Sequence, residues 1–109
     1  LMVPAREGLE PTLRELGFRE LAVPLYRNVD AAPVRDPEQI RDGLIRQVDA
    51  PVLWSAIVRR LREDGFDTFV EVGAGNVLSG LVRRIDRGAA CLQAGTVDSI
   101  EKTLSALGA

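Results

Sequence analysis

Phe69-Val70-Glu71-Val72-Gly73-Ala74-Gly75-Asn76-Val77-Leu78-Ser79-Gly80-Leu81-Val82-Arg83-Arg84-Ile85 changes its hydrophobic period at a glycine turn. Before the turn, Thr68, Phe69, Val70 and Val72 are β-formers, and the run from Phe66 to Val72 predicts a strand. After it, Val77, Leu78, Leu81, Val82 and Ile85 recur at helical spacing, with Asn76 placed to cap. Strand, glycine turn, helix is the unit from which parallel α/β sheets are built.

Outward from this unit the chain keeps alternating. Upstream, Leu53, Trp54, Ile57, Val58 and Leu61 form a helix that stops at Gly65, and Asp49-Ala50-Pro51 parts it from an earlier one. That earlier helix opens at Asp36-Pro37-Glu38-Gln39, a cap, a first-turn proline and a capping-box partner, and carries Ile40, Leu44, Ile45 and Val48. Leu21 to Tyr26 reads as a strand and Asn28 to Arg35 as a loop. Met2, Ala5, Leu9, Leu13 and Leu16 outline a first helix that Pro11 should interrupt or kink. Downstream, Ala89 to Leu92 reads as a strand, and Asp98-Ser99-Ile100-Glu101 opens a terminal helix bearing Ile100, Leu104 and Leu107. The order α, β, α, α, β, α, β, α predicts three strands in a parallel sheet, thin and with open edges, hence part of an α/β domain.

Composition excludes several function classes. The chain has 109 residues, 46% hydrophobic and 28% charged, which fits a globular domain or a piece of one. Its longest uncharged run, Val72 to Val82, is eleven residues, and a membrane span needs about twenty apolar ones. Fourteen basic residues interleave with sixteen acids for a net charge of −2, so no basic face for nucleic acid is legible. Thirteen of those basic residues are arginine and only Lys102 is lysine, a bias that reads as coding composition. With no histidine and a single cysteine, Cys91, the chain holds no intrachain disulfide, no His or Cys zinc cluster and no Ser-His or Cys-His relay. Cys91, in a strand-like run, reads as a small buried hydrophobe. The start at Leu1, without an initiator Met, reads as a piece of something longer, and no export signal opens it.

Gly73 and Gly75 would need a third glycine at Leu78 for dinucleotide binding, and the next is Gly80, so the turn reads as close helix–strand packing. None of Ser55, Ser79, Ser99 and Ser105 lies in a Gly-x-Ser-x-Gly elbow, and Ser79 reads as a hydroxyl against its own helix backbone. Glu71 ends a strand where ligands gather in open α/β sheets. A substrate role and a hydrogen bond to the glycine turn both fit it. Trp54 on an apolar helix face reads as core.

Several segments together resemble one family. Glu71 to Ile85 resembles the Glu-Val-Gly-Pro-Gly-Lys-Val-Leu-Ser-Gly-Leu-x-Lys-Arg-Ile stretch of malonyl-CoA:acyl carrier protein transacylases, with Ala74 for Pro and Asn76 for Lys. Arg46-Gln47-Val48-Asp49-Ala50-Pro51-Val52-Leu53-Trp54 resembles the family's Arg-Gln-Leu-x-x-Pro-Val-x-Trp. Leu1-Met2-Val3-Pro4-Ala5 resembles the segment just after its catalytic His, and Asn28-Val29-Asp30 matches its Asn-Val step.

The resemblance implies ping-pong transfer of malonyl from coenzyme A, through a serine ester, to the phosphopantetheine thiol of acyl carrier protein. No metal or cofactor is implied, malonyl-CoA and phosphopantetheine being substrates. The Ser, Arg and His lie upstream of Leu1, so the fragment alone is expected to be inactive. One catalytic position carries over: Gln47, whose backbone carbonyl orients the His, with Asn28 a weaker candidate for lining the cleft. Residues 1–109 are then the C-terminal portion of the α/β-hydrolase-like large subdomain, without the ferredoxin-like subdomain. The complete protein is expected to be a cytoplasmic monomer of the free-standing bacterial type, whose partners are acyl carrier protein and malonyl-CoA. Two alternatives stay open: a polyketide-pathway acyltransferase, and a non-catalytic module that binds acyl carrier protein or another partner.

Overall fold

The computed structural model describes residues 1–108. Its contacts divide the chain into two compact units, Leu1–Ile57 and Val58–Ala109.

In the first unit, α1 (Val3–Glu15) leads to β1 (Leu25–Tyr26), β2 (Pro33–Val34) and α2 (Pro37–Arg46), and a short 3-10 turn over Gln47–Asp49 follows. α1 runs on through Pro11, so the proline does not interrupt it. Proline removes the bond to the Glu7 carbonyl, but both residues lie on the exposed side, where water can take that carbonyl. Of the predicted apolar stripe of α1 only Leu13 is buried. Arg41 fastens the end of this helix, donating to the carbonyls of Leu13 at 3.0 Å and Leu16 at 2.7 Å. Arg6 pairs with Asp49 at 3.4 Å near its start. α2 begins as predicted, with Asp36 Oδ2 accepting from the amides of Glu38 and Gln39 at 3.1 Å each.

The stretch expected as one strand and a loop is instead a hairpin. β1 is two residues long and pairs antiparallel with β2, Leu25 opposite Val34 and Tyr26 opposite Pro33. It therefore does not join a three-stranded parallel sheet. The turn closes through Arg27 N–H to the Ala32 carbonyl at 3.0 Å and Ala31 N–H to the Arg27 carbonyl at 2.9 Å. Asp30 Oδ1 accepts from the Ala32 amide at 3.2 Å, as an aspartate does in a tight turn. Ala31 adopts φ of 57°, a left-handed conformation for which its side chain gives no sequence signal.

α3 (Trp54–Glu63) carries the division between the units, with Ile57 and Val58 its buried residues. Beyond it come β3 (Thr68–Val72), α4 (Val77–Ile85), β4 (Ala90–Ala94) and α5 (Val97–Ala106). β3 and β4 pair in parallel from Thr68 opposite Ala90 to Val72 opposite Ala94, and they are the whole of this sheet among the described residues. Val58, Val82 and Ala89 make the core, with Phe69, Ile85 and Cys91 against it. Cys91 packs there as an apolar residue, but half-buried rather than buried as expected. The opposite face is open: Val70 is 39% and Val72 83% exposed. α5 is capped by Thr96 rather than by Asp98, with Ser99 returning the bond in a capping box. Its expected apolar stripe, Ile100, Leu104 and Leu107, is exposed, and its buried residue is Thr103, which donates to the Gln93 carbonyl. No helix among the described residues is long and apolar enough to cross a membrane.

Candidate functional site

A cavity of about 230 Å³ opens in the first unit between the end of β1 and the inner face of α2. Leu25, Tyr26, Ile40 and Leu44 give it apolar walls, and Asn28 and Gln47 supply polar groups. The two residues carried over from sequence resemblance, nineteen positions apart, therefore share one cavity.

Gln47 caps the end of α2. Its N–H donates to the Gly43 carbonyl, and its own carbonyl accepts a long bond, 3.4 Å, from the Ala50 amide. A carbonyl has two lone pairs, so this one retains acceptor capacity. The Asn28 carbonyl accepts from the Leu53 amide at 3.1 Å, tying the segment after Pro51 to the end of β1.

Sequence reasoning missed two residues here. Arg27 also lines the cavity and donates from Nε to Asp30 Oδ1 at 3.1 Å, from Nη2 to Asp30 Oδ2, and from Nη1 to the Gln39 carbonyl at 3.2 Å and Asp42 Oδ2 at 3.4 Å. The Arg27 guanidinium, by hydrogen bonding first, holds the Asp30 carboxyl below the usual aspartate range. Gly43 makes room for it, because a Cβ there would sit 2.5 Å from Arg27 Cδ. The only sequence trace is a glycine inside an otherwise regular helix.

The glycine turn holds a second cavity, about 320 Å³, at the C-terminal ends of β3 and β4, lined by Gly75, Asn76, Gln93, Gly95, Thr96 and Ser99. Gly73 and Gly75 take φ of 132° and 87°. A Cβ on Gly95 would collide with the Gly73 carbonyl oxygen, so the two turns pass in backbone contact. Four of the amides around these turns, those of Leu78, Ser79, Gly95 and Thr96, have side-chain partners. Asn76 makes no cap; instead Glu71 accepts from the Ser79 amide at 2.8 Å, the Ser79 hydroxyl at 2.8 Å and the Leu78 amide at 3.3 Å. Ser99 Oγ accepts from the amides of Gly95 at 3.0 Å and Thr96 at 2.9 Å.

Glu71 thus binds the first turn of α4 rather than the glycine turn, and Ser79 donates to a carboxylate rather than to its own helix. The Ser79 hydroxyl, and then its amide, hold the Glu71 carboxyl below the ordinary glutamate range. A carboxylate so stabilised is a weak base, and Ser79 is 3% exposed, so the pair is a helix cap and not a nucleophile with its base. Trp54, expected in the core, is half-buried at the start of α3. Among the described residues no group of three His, Cys, Asp or Glu could hold a metal ion.

No family model matches the chain. Curated relatives do. The chain is 33% identical over 107 residues to malonyl CoA-acyl carrier protein transacylase of Bacillus subtilis, covering 98% of this chain and 34% of that protein. It is 39% identical over 85 residues to the Escherichia coli K12 protein of the same name, covering 78% of this chain and 28% of that one. Among solved structures, acyl-carrier-protein-S-malonyltransferase of Bartonella henselae superimposes with a TM-score of 0.90 at 36% identity, over 97% of this chain and 34% of that one. A malonyl-transacylase solved in complex with its type II polyketide acyl-carrier protein also gives 0.90, at 31% identity, over 96% of this chain and 34% of that one. By sequence and by fold the chain is similar to malonyl-CoA:acyl carrier protein transacylases, and it spans about a third of their length.

Proposed function

We propose that this chain is the C-terminal portion of a malonyl-CoA:acyl carrier protein S-malonyltransferase of fatty-acid synthesis, and that Gln47 contributes the backbone acceptor of its catalytic histidine. The observation that carries this is coverage: the Bartonella henselae structure matches 97% of this chain with only 34% of its own length. The rest of such an enzyme would supply the nucleophile, the base and the malonyl-binding arginine. In the first half-reaction the serine Oγ attacks the malonyl thioester, its proton passes to the histidine, and coenzyme A leaves as the thiol. The phosphopantetheine thiol then attacks the serine ester and the serine is regenerated. A carbonyl facing the imidazole N–H fixes its tautomer without adding charge, and the free lone pair of the Gln47 carbonyl suits that task. Asn28 lines the same cleft.

The finer architecture follows the same proposal. Residues 1–109 form part of the α/β-hydrolase-like subdomain, and the ferredoxin-like subdomain lies elsewhere in the complete protein, a cytoplasmic monomer. Two parallel strands with Val70 and Val72 exposed support this, since parallel sheets are ordinarily covered on both faces. A second reading, transfer to a polyketide carrier protein, draws on the neighbour solved with such a carrier.

The test is complementation. This chain is mixed with a transacylase fragment that ends at its catalytic histidine, and malonyl transfer from coenzyme A is measured with fatty-acid and polyketide carrier proteins in parallel. Activity of the mixture and of neither piece is the expected result, and the preferred carrier separates the two pathways. Activity of this chain alone would overturn the proposal, since it has no histidine.

A further inference from the structure

The charges beside the Asn28–Gln47 cavity form a closed ring. Arg27 bonds Asp30 and Asp42, and Arg46 reaches the same two carboxylates, at 3.9 Å to Asp30 and 3.2 Å to Asp42. Arg27 and Asp30 belong to the turn that starts at Asn28's neighbour; Asp42 and Arg46 belong to the last turns of α2, and Arg46 immediately precedes Gln47. Arg27 is the inner member, its side chain only 13% exposed, and it adds a bond to the Gln39 carbonyl. Isolated surface pairs contribute little, whereas a connected set anchored by one largely buried guanidinium fixes geometry. The absent side chain at Gly43 is what lets Arg27 cross the face of α2.

We propose that Arg27 is a positioning residue: by closing this ring it fixes the end of α2, and with it the Gln47 carbonyl, against the β1 turn that carries Asn28. The ring holds two positive and two negative charges, so it sets distance without adding net charge to the cavity. That separates it from a substrate-binding arginine, whose guanidinium would be left open for a carboxylate. The proposal rests on the transferase reading for its catalytic consequence but not for its structural one, and the two can fail separately.

Arg27→Ala, Gly43→Ala and the double variant are compared with Lys102→Gln, which alters an exposed pair with Asp98 in α5. Amide hydrogen exchange of this chain reports directly on the Ala50 and Leu53 amides, which donate to the Gln47 and Asn28 carbonyls. Both single variants are expected to lose about tenfold in protection there, and the double no more than Arg27→Ala alone. In the complemented enzyme, kcat falls about tenfold while KM for malonyl-CoA stays within about twofold. Unchanged protection in the variants overturns the proposal, as does an unprotected pair of amides in the unaltered chain. So does a rise in KM at constant kcat, which would make Arg27 a substrate ligand. An inactive unaltered mixture whose exchange follows the predicted pattern sinks the transferase reading and leaves the positioning role standing.

Discussion

Replacing Gln47 by alanine and by proline separates a backbone role from a side-chain role. Alanine keeps the carbonyl, keeps the N–H that bonds Gly43, and has slightly better helix propensity than glutamine. The side chain is only half-buried, so truncation leaves no closed cavity. The expected loss in kcat of the complemented enzyme is therefore at most about threefold, or about 0.7 kcal/mol. Proline removes the N–H to the Gly43 carbonyl and drives its ring into that same carbonyl, at a cost of about 3 kcal/mol. The least costly relief is to swing residue 47 out of the last turn, which carries its carbonyl away from the cavity. A displacement of about 1 Å is worth about a hundredfold in rate. Steady-state malonyl transfer, with circular dichroism melts of each variant, measures both effects. A hundredfold loss on Gln47→Ala with an unchanged melt would refute the reasoning, since the amide side chain would then be the working group. Full activity of Gln47→Pro would refute it from the other side.

Gly95→Ala should lower the urea midpoint more than Gly75→Ala. The first drives a methyl into the Gly73 carbonyl, costing about 1–3 kcal/mol; the second meets open space and carries only the strain of φ at +87°, about 1–2 kcal/mol. Equal midpoints would count against the backbone contact between the two turns. For Glu71 the folded-state pKa lies below its ordinary value of 4.5, so its contribution to stability is complete above that pH and is lost as pH falls through the depressed value. The melting difference between the unaltered chain and Glu71→Gln should hold steady at neutral pH and shrink below pH 4.5; a difference that persists undiminished into acid would rule out the carboxylate cap. Val58→Ala removes two methyl groups from the most buried core position, 2% exposed, and should cost about 2 kcal/mol by calorimetry. A loss below about 0.5 kcal/mol would mean that the core around Val58 closes over the gap.

What was legible in the sequence was what a single segment encodes. The helix start at Asp36, the strand ending at Val72 and the helix over Val77–Ile85 each follow from local capping or period, and the structure has them. Pairing between segments was not legible. Leu25-Tyr26 carries the same β-formers whether its partner is parallel or antiparallel, and the turn that decides the matter depends on Ala31 at positive φ, held by Asp30 and Arg27. The Glu71 cap was not legible for the same reason: Asn76 is the better local candidate, but the carboxylate arrives from the preceding strand. At the candidate site, Asn28 and Gln47 came from resemblance alone. Arg27, which bonds across fifteen positions to Asp42, has no local signature.

The arginine bias read as coding composition also has a structural share. Exposed pairs such as Arg14 with Glu10 in α1 and Arg60 with Asp64 at the end of α3 join residues four apart, and a lysine would serve there. Arg27 and Arg41 are different. Arg41 donates from separate nitrogens to the Leu13 and Leu16 carbonyls and to Glu38, and its guanidinium lies 5.1 Å from the centre of the Phe18 ring. Arg27 divides its donors among Asp30, Gln39 and Asp42. A lysine ammonium is a single point with three rotating donors and cannot span such partners, whereas a planar fork reaches them from one fixed pose. Both arginines have side chains at most 14% exposed, and each crosses from one segment of the first unit to another. The composition therefore does not decide which arginines matter; burial and the separation of their partners do, and both measures set Arg27 and Arg41 apart from the exposed pairs.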